Sequence, residues 1–156
     1  MGTIMLLKDE VQMLRRVPLF SNVEPGKLKL LAFTSDRVSY DPGEALFHQG
    51  DTGDAAYVVL AGKADILVDS STGPIKIAEV ETNSIVGEIA ILFVSRTATV
   101  QTTTPLEALR IRKEHFLKLL TDFPEITIEI MRVLADRLSH TTSELSEARS
   151  RERKAD

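Results

Sequence analysis

The chain has 156 residues, of which 43% are hydrophobic and 27% are charged, and its formal net charge is −4. That length suits one domain that buries about 70% of its unfolded surface, and the acidic balance argues against a dedicated nucleic-acid binder. The sequence contains no cysteine, which excludes disulfide bonds, thiolate metal sites and cysteine nucleophiles.

The first segment, residues 1–33, has the spacing of short amphipathic helices. Its apolar residues recur at steps of three and four until Pro18, beginning with Ile4, Leu7, Val11 and Leu14. Pro25 suits the first turn of a second short helix. The N-terminal stretch has neither the pattern of a signal peptide nor the length of a membrane span, so we expect a cytoplasmic protein without membrane insertion.

The second segment, residues 34–112, changes to the period-two alternation of β-strands. Apolar and polar residues alternate in "KADILVD", "PIKIA" and "ALRIR". Turn sequences such as "DPG", "AGK" and "STGP" separate the predicted strands about every ten residues. Short strands at this spacing predict an antiparallel β-roll that resembles a jelly roll.

The third segment, residues 113–156, returns to helix. The stretch "KEHFLKLLTDF" predicts one helix, and Pro124 opens a second, longer one. Along the longer helix a narrow seam steps by three or four through Met131, Leu134, Leu138, Thr141, Leu145 and Ala148. Such a seam is typical of a two-helix interface, so we predict a homodimer through this helix. The three segments together predict one mostly β domain, an antiparallel β-roll with N-terminal helices and a long C-terminal helix.

The sequence gives no indication of an enzyme. The three histidines, His48, His115 and His140, are scattered, and none has a metal-ligand spacing to another. The chain also lacks a nucleophile elbow, a phosphate-binding loop and a dinucleotide-binding fingerprint. We therefore expect no catalytic residues, no metal and no cofactor.

The stretch "VGEIAILFVSRTATV", residues 86–100, carries two charges in an otherwise apolar run. Charged side chains rarely enter such runs without a partner, so Glu88 and Arg96 either pair with each other across a turn or bind a ligand. Gly87 allows a ligand to approach the backbone where a strand turns into a short helix, whose first N–H groups suit an anion. The forked donors of Arg96 suit phosphate oxygens, and the Glu88 carboxylate suits a sugar hydroxyl. The residues alone leave both interpretations open.

Two stretches resemble a known family, over a region from about Pro18 to Leu138. The stretches "YDPGEALFHQGDTGDAAYVVLAG" and "VGEIAIL…RTATV" resemble the front half and the phosphate-binding cassette of the cyclic nucleotide-binding domain. The catabolite activator protein shares this domain with the regulatory regions of protein kinases A and G and with cyclic-nucleotide-gated channels. The sequence departs from the family in two places. Glu88 and Arg96 are eight residues apart, a shorter spacing than is usual, and Asn83 stands where the family favours glycine.

The resemblance implies that the ligand is a cyclic nucleotide, cAMP or cGMP. It implies that Glu88 accepts a hydrogen bond from the ribose 2′-hydroxyl and that Arg96 pairs with the cyclic phosphate. The other cassette residues that it places around the ligand are Val86, Gly87, Ile89, Ala90, Thr97 and Ala98. It also matches Thr141 and Thr142 to a pair that caps the base from the long C-terminal helix, across a dimer.

The resulting expectation is a stand-alone, non-enzymatic regulatory module for cAMP or cGMP. Its output would be a movement of the C-terminal helix, read by an unidentified downstream protein and not by nucleic acid. Two alternatives stay open: a dimerisation or interaction module whose cassette binds no nucleotide, and a transcription regulator truncated before its DNA-binding domain. The base preference is open as well, because Thr97 occurs in members that tolerate guanine whereas Thr141 and Thr142 favour adenine.

Overall fold

The computed structural model describes residues 7–93, 95–136, 138 and 139. The helices are α1 (Leu7–Arg16), α2 (Pro25–Thr34), α3 (Glu88–Phe93), α4 (Lys113–Asp122) and α5 (residues 124–136), with a 3-10 turn at Pro18–Phe20. The strands are β1 (Asp36–Tyr40), β2 (Ala45–Phe47), β3 (Ala55–Ala61), β4 (Ala64–Ser70), β5 (Gly73–Val80), β6 (Ile85–Val86), β7 (Thr99–Thr102) and β8 (Leu106–Arg112). The predicted residues His140, Thr141, Thr142, Leu145 and Ala148 lie outside the described part of the chain.

The predicted fold class, an antiparallel β-roll with flanking helices, is confirmed. Helix α1 ends at Arg16, just before Pro18, and helix α2 begins at Pro25 as its spacing predicted. Proline has no backbone N–H and a fixed φ, so it suits a first helical turn and ends a preceding helix. Among the described helices, none combines the length and the apolar character that crossing a membrane requires.

The strands form two four-stranded sheets, with orders β1-β8-β3-β6 and β2-β7-β4-β5. Every strand pair is antiparallel. Strand β3 lies inside the first sheet between β8 and β6, and its first six residues, "AAYVVL", are all buried. A continuous apolar run of this kind is what a strand needs when both of its faces are covered.

The apolar core has two layers, one on each face of the first sheet. The layer on the helical side contains Phe20 and Phe116, which are fully buried. The layer inside the roll contains Val59, Val100 and Leu106. Because the first sheet supplies residues to both layers, it fixes the helices relative to the interior of the roll.

Two segments show how the roll treats its edges. Ile75 and Ile77, in the alternating stretch "PIKIA", are 50% and 60% exposed. Their strand, β5, is an edge strand with a sheet neighbour, β4, on one side only. Strand β7 begins at Thr99, and the backbone of Arg96 pairs with the loop before β3. Its N–H donates to the Asp51 carbonyl at 2.7 Å, and its carbonyl accepts from the Gly50 N–H at 2.9 Å.

Helix α5 has apolar residues on two faces. Ile126 and Ile130 are buried in the helical layer of the core. Ile128, Met131 and Leu138 are 56%, 63% and 69% exposed, so they follow a second stripe along the helix and its continuation. A helix that only covered its own domain would expose polar residues on that outer face.

Candidate ligand-binding site

A cavity of about 470 Å³ is bounded by β4, β5 and β7 of one sheet and by the turn that joins β6 to α3. The structure brings seven of the ten predicted site residues together around it: Val86, Gly87, Glu88, Ala90, Arg96, Thr97 and Ala98. The predicted Ile89 belongs to α3, but its side chain lies outside the described part, as do Thr141 and Thr142. The cassette residues therefore share one wall of a single cavity.

The cavity also has an apolar part of its lining that was not predicted from the sequence. Its side chains come from four strands and include Phe47, Ile66, Val68, Ile77, Val80 and Val100. The alternation in β4 could have indicated part of this apolar lining, because Ile66 and Val68 share a face of that strand. No comparable signal was available for Phe47, because its place in the cavity depends on contacts far along the chain.

Gly87 makes the turn from β6 into α3. Its φ is +81°, a left-handed conformation that costs an L-residue roughly 1–2 kcal/mol. A Cβ at this position would also clash with Nη1 of Arg96 and would lie 3.1 Å from Cε1 of Phe47. The turn therefore requires glycine for its backbone conformation and for the space that Arg96 occupies. Asn83, in the turn before β6, has a φ of +74°, a left-handed conformation that asparagine adopts more readily than most residues.

A second glycine places α3 against the roll. A Cβ on Gly53 would clash with the backbone carbonyl of Ala90 in α3. The loop before β3 and the middle of α3 therefore approach each other more closely than any residue with a side chain would allow. Because the same loop also pairs with the backbone of Arg96, it holds both ends of the cassette.

Arg96 is the central polar residue of the cavity and is 3% exposed. Its Nη1 donates to the Gly87 carbonyl at 2.8 Å, and its Nη2 donates to the Ala55 carbonyl at 2.6 Å. Nη2 also lies 3.6 Å from Oδ1 of Asp54, a side chain that is 83% exposed. Among the described residues, the buried Nε–H of Arg96 has no hydrogen-bond partner. Two of the three guanidinium nitrogens are therefore held by backbone carbonyls, and Nε is the one nitrogen without an acceptor among the described residues.

Burial lowers the pKa of Arg96, and nearby Tyr57, Asp54, Asp51 and Glu88 act in the opposite direction. An arginine stays protonated at neutral pH even when its pKa is somewhat reduced. The cavity therefore contains a permanent positive charge that is largely removed from water. Such a cation attracts an anion more strongly than a solvated one does, because the surrounding medium screens it less.

Aromatic rings pack against the Arg96 guanidinium. Its Cζ lies 4.0 Å from the ring centroid of Phe47 and 6.0 Å from that of Tyr57. The two rings contact each other with centroids 5.8 Å apart at an angle of 36°. The electron-rich face of a ring attracts a cation, so these rings compensate part of the water that the buried guanidinium has lost.

Glu88 is the first residue of α3, lines the cavity and is 8% exposed. Two backbone carbonyls hold the Arg96 guanidinium, and Glu88 is among the groups whose charge opposes the effect of burial on the pKa of Arg96. An ionised carboxylate only accepts hydrogen bonds. The site thus combines a buried cation, a buried acceptor and an apolar wall, which suits an anion that also carries a hydroxyl group and an apolar ring.

Solved structures share the architecture of this chain. The catabolite activator protein of Thermus thermophilus matches with a TM-score of 0.74 and 28% identity, over 83% of this chain and 62% of that one. The sensor domain of the transcriptional regulator DNR from Pseudomonas aeruginosa matches with a TM-score of 0.78 and 23% identity. That match covers 88% of this chain and 94% of the sensor domain, and it shows the shared fold.

Sequence comparison identifies the family. The chain is 29% identical over 141 residues to the CRP-like cAMP-activated global transcriptional regulator of Mycobacterium tuberculosis. This match covers 89% of the chain, which spans 62% of the regulator's length. Residues 37–123, which include the cassette, match the model of the cyclic nucleotide-binding domain. Because the matched residues make up more than half of this chain, the chain belongs to the cyclic nucleotide-binding domain family.

Proposed function

We propose that the cavity binds a cyclic nucleotide, cAMP or cGMP, with the cyclic phosphate at Arg96. The strongest support is the Arg96 guanidinium, a buried cation that lines the cavity and whose Nε–H lacks a partner among the described residues. A buried donor without an acceptor costs about 1–3 kcal/mol. A phosphate in the cavity would accept hydrogen bonds from the guanidinium, and its charge would offset that of the arginine.

The rest of the cavity suits the rest of the nucleotide. Its volume of about 470 Å³ falls within the range of about 300–1,000 Å³ that is typical of small-molecule sites. Glu88 lines the cavity and would accept a hydrogen bond from the ribose 2′-hydroxyl, and Ile66, Val68 and Ile77 offer an apolar surface for the base. The Mycobacterium tuberculosis relative is named as cAMP-activated, which makes cAMP the first ligand to test.

Titration calorimetry of the purified chain with cAMP and with cGMP tests this proposal. We expect micromolar or tighter binding of at least one of the two. Arg96→Ala should weaken binding by about 1.5–3 kcal/mol, the value of a charged hydrogen bond, and should affect both nucleotides equally because they share the phosphate. Arg112→Ala is the matched control, because Arg112 is exposed and lies outside the cavity, where its Nε is 3.2 Å from Oδ2 of Asp36. This variant should bind both nucleotides with wild-type affinity.

Two results would contradict the proposal. If Arg96→Ala binds as tightly as the wild type, Arg96 has a structural role only. If the folded wild-type chain binds neither nucleotide, the alternative of an interaction module with a non-binding cassette is favoured.

We also propose a homodimer through residues 130–148. The outer stripe of α5 and its continuation, with Ile128, Met131 and Leu138, is more than half exposed and has helical spacing. Two copies related by a two-fold axis would each cover the stripe of the other, at roughly 25 cal/mol for each Å² of apolar surface removed from water. Leu134 packs partly against the domain's own core, so the contact would depend less on Leu134 than the predicted seam suggests.

We propose, finally, that ligand binding shifts helix α5. Glu88 lines the nucleotide cavity and also a second cavity of about 460 Å³, whose other side includes Glu129, Ile130 and Val133 of α5. A ligand that changes the position of Glu88 would therefore change the surface that α5 faces. A ligand moves such an equilibrium only through a difference in its affinity for the two helix positions, and contacts from Thr141 and Thr142 to the base would supply that difference.

A further inference from the structure

Phe47 is the aromatic residue in closest contact with the Arg96 guanidinium. It is the last residue of β2, and its ring centroid lies 4.0 Å from Cζ of Arg96, which is a stacking distance. The ring of Tyr57 packs against Phe47 at 5.8 Å and supports it from within the roll. Phe47 thus contacts both the Tyr57 ring and the buried Arg96 guanidinium.

The Phe47 ring stabilises a positive charge, that of Arg96, which the neighbouring carboxylate stabilises only weakly. The Asp54 carboxylate that lies 3.6 Å from Nη2 is 83% exposed, so water reduces its effect. The Arg96 side chain itself is 1% exposed, and a cation–π contact is strongest where the cation has lost its water. The face of Phe47 therefore contributes to keeping the guanidinium buried.

The ring also limits the orientation of the guanidinium. Hydrogen bonds to the carbonyls of Gly87 and Ala55 fix two nitrogens but tolerate a range of angles. A ring stacked on one face resists tilting out of that plane. Gly87 leaves the space that these two side chains occupy, because a Cβ there would meet both Arg96 and Phe47. The ring and the two carbonyls therefore constrain the position of the guanidinium before any ligand arrives.

We infer that Phe47 is a positioning residue that presets the Arg96 guanidinium for an anionic ligand. This inference rests on the proposed function, in which Arg96 binds the cyclic phosphate. Without the ring, the Arg96 guanidinium would adopt its binding-competent position for only part of the time. The observed affinity would then fall in proportion to the fraction of binding-competent protein.

Nitrogen-15 NMR of the arginine Nε–H group tests the positioning step in the ligand-free chain. The Arg96 signal, assigned by its loss in Arg96→Lys, should be shifted by the ring and protected from exchange with water. Phe47→Tyr keeps the ring face and should preserve this signal, whereas Phe47→Leu should remove both the shift and the protection. Phe33→Leu is the control, because Phe33 is 75% exposed on α2. An Arg96 signal that is unchanged in Phe47→Leu would overturn the inference.

Titration with cAMP tests the consequence for binding. Phe47→Leu should weaken binding about tenfold, and Phe47→Tyr should stay within about twofold of the wild type. In an Arg96→Gln background, Phe47→Leu should cause no further loss, since its effect passes through Arg96. An equal loss in that background, or equal weakening by Tyr and Leu, would show that Phe47 acts by touching the ligand and would overturn the inference. If Phe47→Leu does not fold, Phe47→Met replaces it in both measurements.

The two measurements separate this inference from the proposed function. A wild-type chain that shows the shifted, protected Arg96 signal but binds no cyclic nucleotide would contradict the proposed function and keep the positioning role. If the chain binds cAMP through Arg96 but the Arg96 signal is the same in Phe47→Leu as in the wild type, the positioning role is contradicted and the proposed function is kept.

Discussion

The cassette and helix α5 differ in how far their own domain accounts for them. Arg96 is buried, and its guanidinium donates to backbone carbonyls of the same roll. Met131 and Leu138, in contrast, are more than 60% exposed on the outer side of the C-terminal helix. The described groups of the cassette are therefore held by contacts within the roll, whereas the outer face of the helix exposes apolar side chains.

In the proposed function this difference would separate recognition from transmission. Affinity for the phosphate would depend on short contacts inside the roll, which a single chain provides. Dimerisation and helix movement would depend on the exposed apolar stripe of the C-terminal helix. Changes in the cassette should therefore alter affinity and leave the oligomeric state unchanged, and changes in the outer stripe should do the opposite.

The largest effect is expected from Gly87→Ala, which would break the cassette alone. Alanine must adopt a φ near +81° and would clash with Arg96, so we expect roughly hundredfold weaker cAMP binding, equivalent to about 2.7 kcal/mol. Calorimetry measures the affinity, and sedimentation should find the wild-type oligomeric state. Gly26→Ala in α2 is the control, because a Cβ there meets nothing within 4 Å. Wild-type affinity in Gly87→Ala would show that the turn can relax and that Arg96 does not need this geometry.

The next largest effect is expected from Leu138→Asp, which should weaken dimerisation through the outer stripe of the C-terminal helix. A carboxylate on the outer stripe would face its own copy across a two-fold contact, so the dimer dissociation constant should rise at least tenfold, or about 1.4 kcal/mol. Equilibrium sedimentation measures the change. Leu30→Asp is the matched control, since Leu30 is also half exposed but lies on α2. A wild-type chain that stays monomeric at high micromolar concentration would refute the dimer.

The same two regions show how far the sequence predicts the structure. Period-two alternation and proline positions were enough to predict the β-roll and the starts of α2 and α5, because these signals depend on neighbouring residues. The Gly87 turn followed from its own short stretch in the same way.

Contacts between distant residues could not be predicted. Ala55 accepts a hydrogen bond from Arg96 across 41 residues of sequence, and no local pattern marks either Ala55 or Asp54 as its neighbour. The stacking of Phe47 on Arg96 belongs to the same class of contact. The edge position of β5 could not be predicted for a related reason, since the order of the strands in a sheet is set by pairing between distant segments.

Glu88→Gln should sharpen the comparison within the cavity. The amide keeps the shape of the side chain but loses the charge, so we expect cAMP binding to weaken by about 1–1.5 kcal/mol, less than for Arg96→Ala. The preference for cAMP over 2′-deoxy-cAMP, measured by calorimetry, should shrink in the variant. Glu107→Gln is the control, because Glu107 pairs with Arg37 outside the cavity. A variant that discriminates against the deoxy analogue as strongly as the wild type would show that Glu88 does not contact the ribose.

The smallest effect is expected where the two regions are proposed to meet, at Thr141. The resemblance of Thr141 and Thr142 to a base-capping pair suggests one neutral hydrogen bond to the base, so Thr141→Ala should weaken binding by about 0.5–1.5 kcal/mol. The loss should differ between cAMP and cGMP, because only the base differs, whereas Arg96→Ala should affect both alike. Thr121→Ala on α4, whose hydroxyl donates to the Leu117 carbonyl at 3.0 Å, is the control.

Hydrogen exchange tests whether that contact involves the helix. If the C-terminal helix closes over the base, cAMP should protect amides in residues 134–145 as well as those in residues 86–98, and Thr141→Ala should reduce the first set only. Amides of α2 should be unaffected, since α2 contributes no residue to the cavity. Protection confined to residues 86–98, together with a silent Thr141→Ala, would mean that the cassette binds nucleotide without help from the helix. The differential affinity that helix movement requires would then have to come through Glu88 and the cavity that it shares with α5.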